Sequence, residues 1–236
     1  MSNPSRPGPA PIIEIPSSPG PHPGIVLGAE AYGINPFILG VGRQLVELGY
    51  ATALPDYYHG NGPNDVEAYE DFTEVMEYMG ALDFTCGARD LADAVDALRA
   101  NPDVDLRRVS VWGYCTGATL AWLAACIRGD LAAAVLFFPS QPVFAEIGPK
   151  TPVSPLDLLW QLTCRTLFIY GDSDPVMPPA LLEELRRRIE TWSLDAEVRI
   201  YPGAGHAFSA PAGPLRNEEA YAAAWSDAID FLNAHA

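Results

Sequence analysis

Cys115 lies between two glycines in Gly113-Tyr-Cys-Thr-Gly117, directly after the alternation Val109-Ser-Val-Trp112 and directly before an apolar run. A strand that breaks into Gly-x-Cys-x-Gly and then a helix is a setting in which a nucleophile is held on a sharp bend, here with cysteine where serine is usual. Gly113 and Gly117 lack a Cβ, so the bend can be tight and the helix can start close against the strand. The reactive form of cysteine is the thiolate, and a neighbouring imidazole can take the thiol proton and later hand it to a leaving group. His206, in Tyr201-Pro-Gly-Ala-Gly-His-Ala-Phe208, can supply that imidazole. A carboxylate on the far ring nitrogen would fix the tautomer and stabilise the imidazolium. Gly171-Asp-Ser-Asp-Pro-Val-Met-Pro178 offers two, Asp172 and Asp174. A tetrahedral oxyanion needs backbone donors. The N–H of Thr116 at the helix start is one, and the N–H of Ala31, in the loop after an earlier strand, is the natural second.

The elements that must position these groups alternate along the chain. Ile12 to Ile15 reads as a short strand within a proline-rich arm over residues 1–24, and Gly24 to Gly28 as an apolar strand. Asn35-Pro36 opens a helix with Phe37, Val41, Leu45 and Leu48 on one face and Gly49 as its stop. Tyr50 to Pro55 is the next strand. A stripe of Tyr69, Phe72, Met76 and Met79 predicts a helix from Val66 to Met79, and a second runs from Gly87 to Ala100 with Leu91, Val95 and Leu98 inward. Strands follow at Ala132 to Phe138, Arg165 to Tyr170 and Glu197 to Tyr201. A helix starts near Pro179, its Glu183 and Glu184 early and Arg186, Arg187 and Arg188 late, as the helix dipole favours. Tyr221, Trp225, Ile229 and Leu232 mark a C-terminal amphipathic helix. The pattern predicts one α/β domain over residues 1–236, with a mainly parallel sheet covered on both faces. Active groups should project from loops at the carboxyl ends of the strands. Cys115, the Asp172/Asp174 loop and His206 each follow their own strand, in the order nucleophile, acid, histidine, which is the order of the α/β-hydrolase fold.

Composition excludes several classes of partner. Fourteen Lys and Arg against thirty Asp and Glu give a net charge of −16. Such a surface repels nucleic-acid phosphates and anionic lipid. No apolar stretch reaches membrane-spanning length, and the arm, with eight of the 23 prolines, has neither the basic start nor the apolar core of a signal peptide. Cys86, Cys115, Cys126 and Cys164 form no CxxC pair, so free thiols in a reducing, cytoplasmic compartment are expected. The histidines and cysteines show no metal-ligand spacing, and no metal or other cofactor is expected.

The chain resembles the dienelactone hydrolase family of α/β-hydrolases over nearly its whole length. The matching pieces are Ala29-Glu-Ala-Tyr-Gly-Ile-Asn35, Gly49-Tyr-Ala-Thr-Ala-Leu-Pro-Asp56, Gly113-Tyr-Cys-Thr-Gly117, Gly171-x-x-Asp174 with Pro178, and Ala204-Gly-His-Ala-Phe208. The resemblance favours Asp174 over Asp172 as the acid. It implies a Cys115–His206–Asp174 triad that opens a lactone or cleaves an ester through an acyl-thioester. It also implies that Glu30 contacts the resting cysteine until substrate binding rearranges the pair. Tyr32, Tyr69 and Phe208 are candidate pocket residues, with Tyr57, Tyr58, His59 and Phe72 in or near the same loops.

The departures bear on substrate. Dienelactone-cleaving members grip the substrate carboxylate with two arginines, one four residues before a tyrosine and one four residues after the catalytic histidine. With Tyr69 as that tyrosine, the two positions are Asp65 and Ala210. Their loss removes charge-assisted anchoring of an anion. Arg43, Arg89 and Arg216 are the candidates to replace it from elsewhere. The expected activity is therefore hydrolysis of a small-molecule ester or lactone with altered specificity, by a monomer or small homo-oligomer. Acyl transfer by the same triad, and a ligand-binding or redox-sensing protein with Cys115 as its reactive thiol, are the alternatives.

Overall fold

A computed structural model describes residues 8–63 and 72–234. Its centre is a seven-stranded sheet of β1 (Ile12–Glu14), β2 (His22–Gly28), β3 (Ala51–Leu54), β4 (Val104–Tyr114), β5 (Ala133–Phe137), β6 (Arg165–Gly171) and β7 (Ala196–Tyr201). The strands lie in the order β1-β3-β2-β4-β5-β6-β7. Only β1 runs antiparallel, pairing Ile12 with Leu54 at the edge; the rest are parallel neighbours. Parallel neighbours require crossovers, and helices supply them. They are α1 (Pro36–Glu47), α2 (Phe72–Ala81), α3 (Phe84–Arg99), α4 (Thr116–Ile127), the short α5 (Pro155–Leu158), α6 (Pro179–Thr191) and α7 (Glu218–Asn233). The result is the α/β-hydrolase architecture that the element order predicts.

The period-two alternation of β4 shows how the two faces are filled. Trp112 and Tyr114 point to the side of α1 and α7: Trp112 packs on Trp225, and Tyr114 meets Phe37 edge-on with ring centroids 5.5 Å apart. On the other side α3 and α4 pack against each other and the sheet, with Leu91, Val95 and Leu98 fully buried. Nearly every residue of α4 is buried, so this helix is apolar all round rather than amphipathic. A helix enclosed in this way is a rigid base for whatever its first turn carries.

Several local expectations are corrected. Leu48 caps α1 and is exposed, because the helix stops at Glu47 before Leu48 can turn inward. Of the helix predicted over Val66 to Met79, residues 66–71 with Tyr69 lie outside the described residues; the described helix Phe72–Ala81 continues past Met79, and Met76 is exposed on it. Glu183 and Glu184 lie beyond the first turn of α6. Glu184 instead bridges Arg187 and Arg188, three and four residues on, at 2.8 and 2.6 Å.

Candidate active site

Cys115 stands between the last residue of β4 and the first of α4 with φ +49° and ψ −114°, a conformation that non-glycine residues rarely hold. Such a backbone costs about 1–3 kcal/mol and persists only where its surroundings over-determine it. Here they do: Cys115 N–H donates to Phe137 O at 3.0 Å, and Cys115 O accepts from Ser140 N–H at 3.2 Å and Thr119 N–H at 3.1 Å. The flanking glycines are there for close approach. A Cβ on Gly117 would lie 2.2 Å from the Gly28 and Ala29 carbonyl oxygens, and one on Gly113 would lie 2.4 Å from Gly117 O. Only bare backbone lets α4 begin wedged between β2 and β4.

His206 and Asp174 arrive from loops after β7 and β6. His206 Nε2 is 3.3 Å from Cys115 Sγ, and its Nδ1 is 2.9 Å from Asp174 Oδ2. The Asp174 side chain is wholly enclosed, and its second oxygen accepts Val176 N–H at 2.8 Å. Asp172 faces solvent and is occupied otherwise: its Oδ1 accepts Gly203 N–H at 2.9 Å, tying the two loops together. Burial opposes charge on the imidazole, yet the Cys115 thiolate and the Asp174 carboxylate outweigh it and push the His206 pKa up to about 10. Phe138, whose φ is +39°, sets its ring edge-on to the imidazole at 5.3 Å, and Ala207 beside the histidine has φ +58°. Three strained non-glycine residues thus gather at the tips of β4, β5 and the loop after β7.

The loop after β2 passes over the start of α4. Glu30 is buried, and its Oε1 accepts from Asn35 Nδ2 at 3.3 Å, while Asn35 Oδ1 caps α1 through Ile38 N–H at 3.1 Å. Thr116 and Ala31 are buried on the two sides of this junction. The first N–H groups of a helix have no partner within it, which leaves that of Thr116 available to a ligand. Tyr32 is buried beside Ala31, Val75 and Met79. Phe208 has no exposed surface and packs on Phe138 and Tyr201, a core position rather than a pocket wall. Tyr57 and Tyr58, which the sequence places only in or near the pocket loops, turn their hydroxyls to main-chain oxygens of Ala29, Glu30 and Ala31. Their position after a strand end was the only signal in the sequence.

Among the described residues no cluster of His, Cys, Asp and Glu could hold a metal ion, and no helix is long and apolar enough to cross a membrane. Ala210 is fully buried, four residues beyond His206. Arg43 and Arg89 are exposed on α1 and α3, while Arg216 Nη1 donates to Ser209 O and Ala210 O at 3.1 and 3.0 Å. Asp65 lies outside the described residues.

Strand order and the chain order of the loop groups are together those of an α/β-hydrolase. The chain belongs to the dienelactone hydrolase family, which it matches over residues 10–236, and is a hydrolase of that ester- and lactone-cleaving class. A Yersinia pestis protein named "Putative carboxymethylenebutenolidase" is 27% identical over 233 residues, covering 96% of this chain and 84% of its own. A Bradyrhizobium protein named "Probable 2-oxo-3-(5-oxofuran-2-ylidene)propanoate lactonase" is 29% identical over 213 residues, covering 90% of this chain and 84% of its own. The crystal structure of a "Putative Dienelactone Hydrolase" from Klebsiella pneumoniae subsp. pneumoniae MGH 78578 superposes with a TM-score of 0.82 at 26% identity, covering 93% of this chain and 90% of that one.

Proposed function

We propose that the protein hydrolyses a small lactone or ester through a Cys115–His206–Asp174 triad and an acyl-thioester on Cys115. The observation that carries this is the pair of contacts on one imidazole, 3.3 Å to Cys115 Sγ and 2.9 Å to Asp174 Oδ2. The thiolate attacks the carbonyl carbon, and the N–H groups of Thr116 and Ala31 receive the oxyanion. As the tetrahedral intermediate collapses, the ring or ester C–O bond breaks and the His206 imidazolium protonates the departing oxygen. The neutral imidazole then takes a proton from water, whose oxygen displaces the thiolate from the acyl carbon and completes hydrolysis. Asp174 keeps the tautomer and stabilises the imidazolium throughout. Glu30, the second buried carboxylate among the described residues, is held by Asn35 in this structure; on the family resemblance it is the partner of the resting thiol before substrate binding.

The relatives' names point to lactones that carry a carboxylate. This chain has Asp65 and Ala210 at the two positions read as anion-gripping arginines, so we assign it a neutral lactone or ester. Four free thiols suit a reducing cytoplasmic setting.

The test is hydrolysis of three substrates by wild type and Cys115→Ala: an activated neutral ester, a neutral enol-lactone and a dienelactone carboxylate. Turnover of a neutral substrate that disappears in the variant, with the fold retained, supports the assignment. Full activity in Cys115→Ala removes the triad. Stoichiometric labelling of Cys115 without turnover would instead make it a reactive-thiol sensor.

A further inference from the structure

Tyr57 follows β3 and the Pro55-Asp56 corner, and it is buried. Its hydroxyl donates to Glu30 O at 2.6 Å and also lies 3.1 Å from Ala29 O. Glu30 O accepts a second bond, from Gly33 N–H at 2.8 Å. The Glu30 carbonyl and the Ala31 N–H belong to one peptide plane. In a trans peptide that plane is rigid and the two groups point in opposite directions, so whatever fixes Glu30 O also aims Ala31 N–H. On the thiol-hydrolase reading of Cys115, we propose that Tyr57 is a positioning residue of the oxyanion hole, its hydroxyl holding the Glu30–Ala31 peptide so that Ala31 N–H faces the developing oxyanion.

The base from which Tyr57 reaches is itself fixed. Asp56 accepts Tyr58 N–H at 3.0 Å and Gly60 N–H at 2.7 Å, and His59 Nε2 meets Asp90 of α3 at 2.8 Å. Burial also pushes the Tyr57 phenol well above its ordinary pKa, so the group stays a proton donor across the working range. The neighbouring tyrosine is a built-in control. Tyr58 donates to Ala31 O at 2.9 Å, one peptide further along, and the N–H of that plane belongs to Tyr32. A role in merely stiffening the loop makes the two tyrosines equivalent. Aiming the Ala31 donor makes them unequal.

The experiment compares Tyr57→Phe and Tyr58→Phe in the full chain, with Cys115→Ala alongside, on an activated neutral ester. It also measures inhibition by the matching aldehyde. There the thiolate forms a C–S bond as the carbonyl π bond becomes an oxyanion, which then takes the imidazolium proton, so binding reads the hole without turnover. Tyr57→Phe should lower kcat about tenfold or more, with KM within about twofold, since losing a whole oxyanion donor costs about 100- to 1,000-fold. Aldehyde affinity should fall by a factor similar to kcat, and Tyr58→Phe should lose less than a third as much. Unchanged kcat in Tyr57→Phe, a loss confined to KM, or equal losses in the two variants would overturn the role of Tyr57 while Cys115→Ala remains dead. Activity surviving in Cys115→Ala would remove the hydrolase reading and this role together. If Tyr57→Phe does not melt cooperatively, 3-fluorotyrosine at position 57 keeps shape and hydroxyl while changing donor strength. Then kcat and aldehyde affinity must move together, and no change in either overturns the assignment.

Discussion

Asp174 meets His206 at 2.9 Å from a turn that leaves its carboxylate no exposed surface, while Asp172, two residues earlier in the same turn, faces solvent. The difference follows from the turn itself. Asp174 N–H bonds back to Gly171 O, and Asp174 Oδ1 takes Val176 N–H, so the remaining oxygen is directed at the imidazole. Asp172 spends its oxygen on Gly203 N–H across the loop. Asp174→Asn should therefore lower kcat about 100-fold or more with little change in melting temperature, because the amide mispositions the imidazole proton. Asp172→Ala should keep kcat within about threefold and lose about 1 kcal/mol of stability for its hydrogen bond. Steady-state kinetics and denaturation of the two variants decide it; similar kinetic losses would mean that Asp174 has no privileged role.

The pKa of about 10 at His206 sets a pH dependence with a definite sign. The folded value lies above the unfolded one of about 6.5. The proton thus adds stability fully below about pH 6.5, and that contribution is lost as pH rises towards 10. Denaturation of wild type and His206→Gln should show the wild-type advantage shrinking across this window. In catalysis, kcat/KM should fall on the alkaline side near pH 10, where the His206 imidazolium proton needed by the leaving group is gone. An alkaline limb at pH 7 would mean that the fold does not raise the His206 pKa.

What the chain discloses before folding is uneven, for physical reasons. The β4–α4 turn was legible because a strict alternation, two glycines and an apolar helix each have a pattern of their own. The loops that bring His206 and the Asp172/Asp174 pair to Cys115 were legible because each follows a strand, whereas the choice of Asp174 over Asp172 came from the family resemblance. The contribution of Tyr57 was not, since a hydroxyl that serves main-chain oxygens leaves no side-chain partner to recognise. Phe208 was placed in the pocket because an aromatic two residues from His206 has the same sequence signature whether it lines a cavity or, as here, packs on Phe138. Glu184 suggested dipole complementation, but the true start of α6 at Pro179 moved it out of the first turn and into an ion pair. The short α5 at Pro155–Leu158 was missed because four residues carry no helical period.

The glycines near the site are not equivalent, and space distinguishes them. A Cβ on Gly117 would be driven into backbone atoms of Gly28 and Ala29 at 2.2 Å, which cannot yield without separating α4 from β2. Gly117→Ala should cost about 3 kcal/mol or more and displace Cys115. Gly205, next to the histidine, has nothing within 4 Å of an added Cβ. Gly205→Ala should stay within about 0.5 kcal/mol of wild type. Chemical denaturation of both variants checks the contrast, and equal stabilities would refute the close-approach account.

Arg216 donates to the main chain at Ala210, one of the two positions read as an anion grip, yet its nitrogens are already engaged. Nη1 donates to Ser209 O and Ala210 O, Nε and Nη2 meet Glu218 Oε2 at 2.8 and 2.6 Å, and the guanidinium lies 5.1 Å from the centre of the Tyr221 ring. A guanidinium whose fork is filled in this way clamps the loop after His206; it has no free pair of donors to offer a substrate carboxylate. Ala210 is fully enclosed, so an arginine there would have to open that packing before reaching a ligand. Arg216→Gln should then cost about 1–2 kcal/mol of stability through lost charge-assisted bonds. The ratio of kcat/KM for a neutral enol-lactone to that for a dienelactone carboxylate should stay within about twofold of wild type. A fall in carboxylate turnover alone, tenfold or more, would make Arg216 the anion anchor and return the substrate to the carboxylate-bearing lactones of the named relatives.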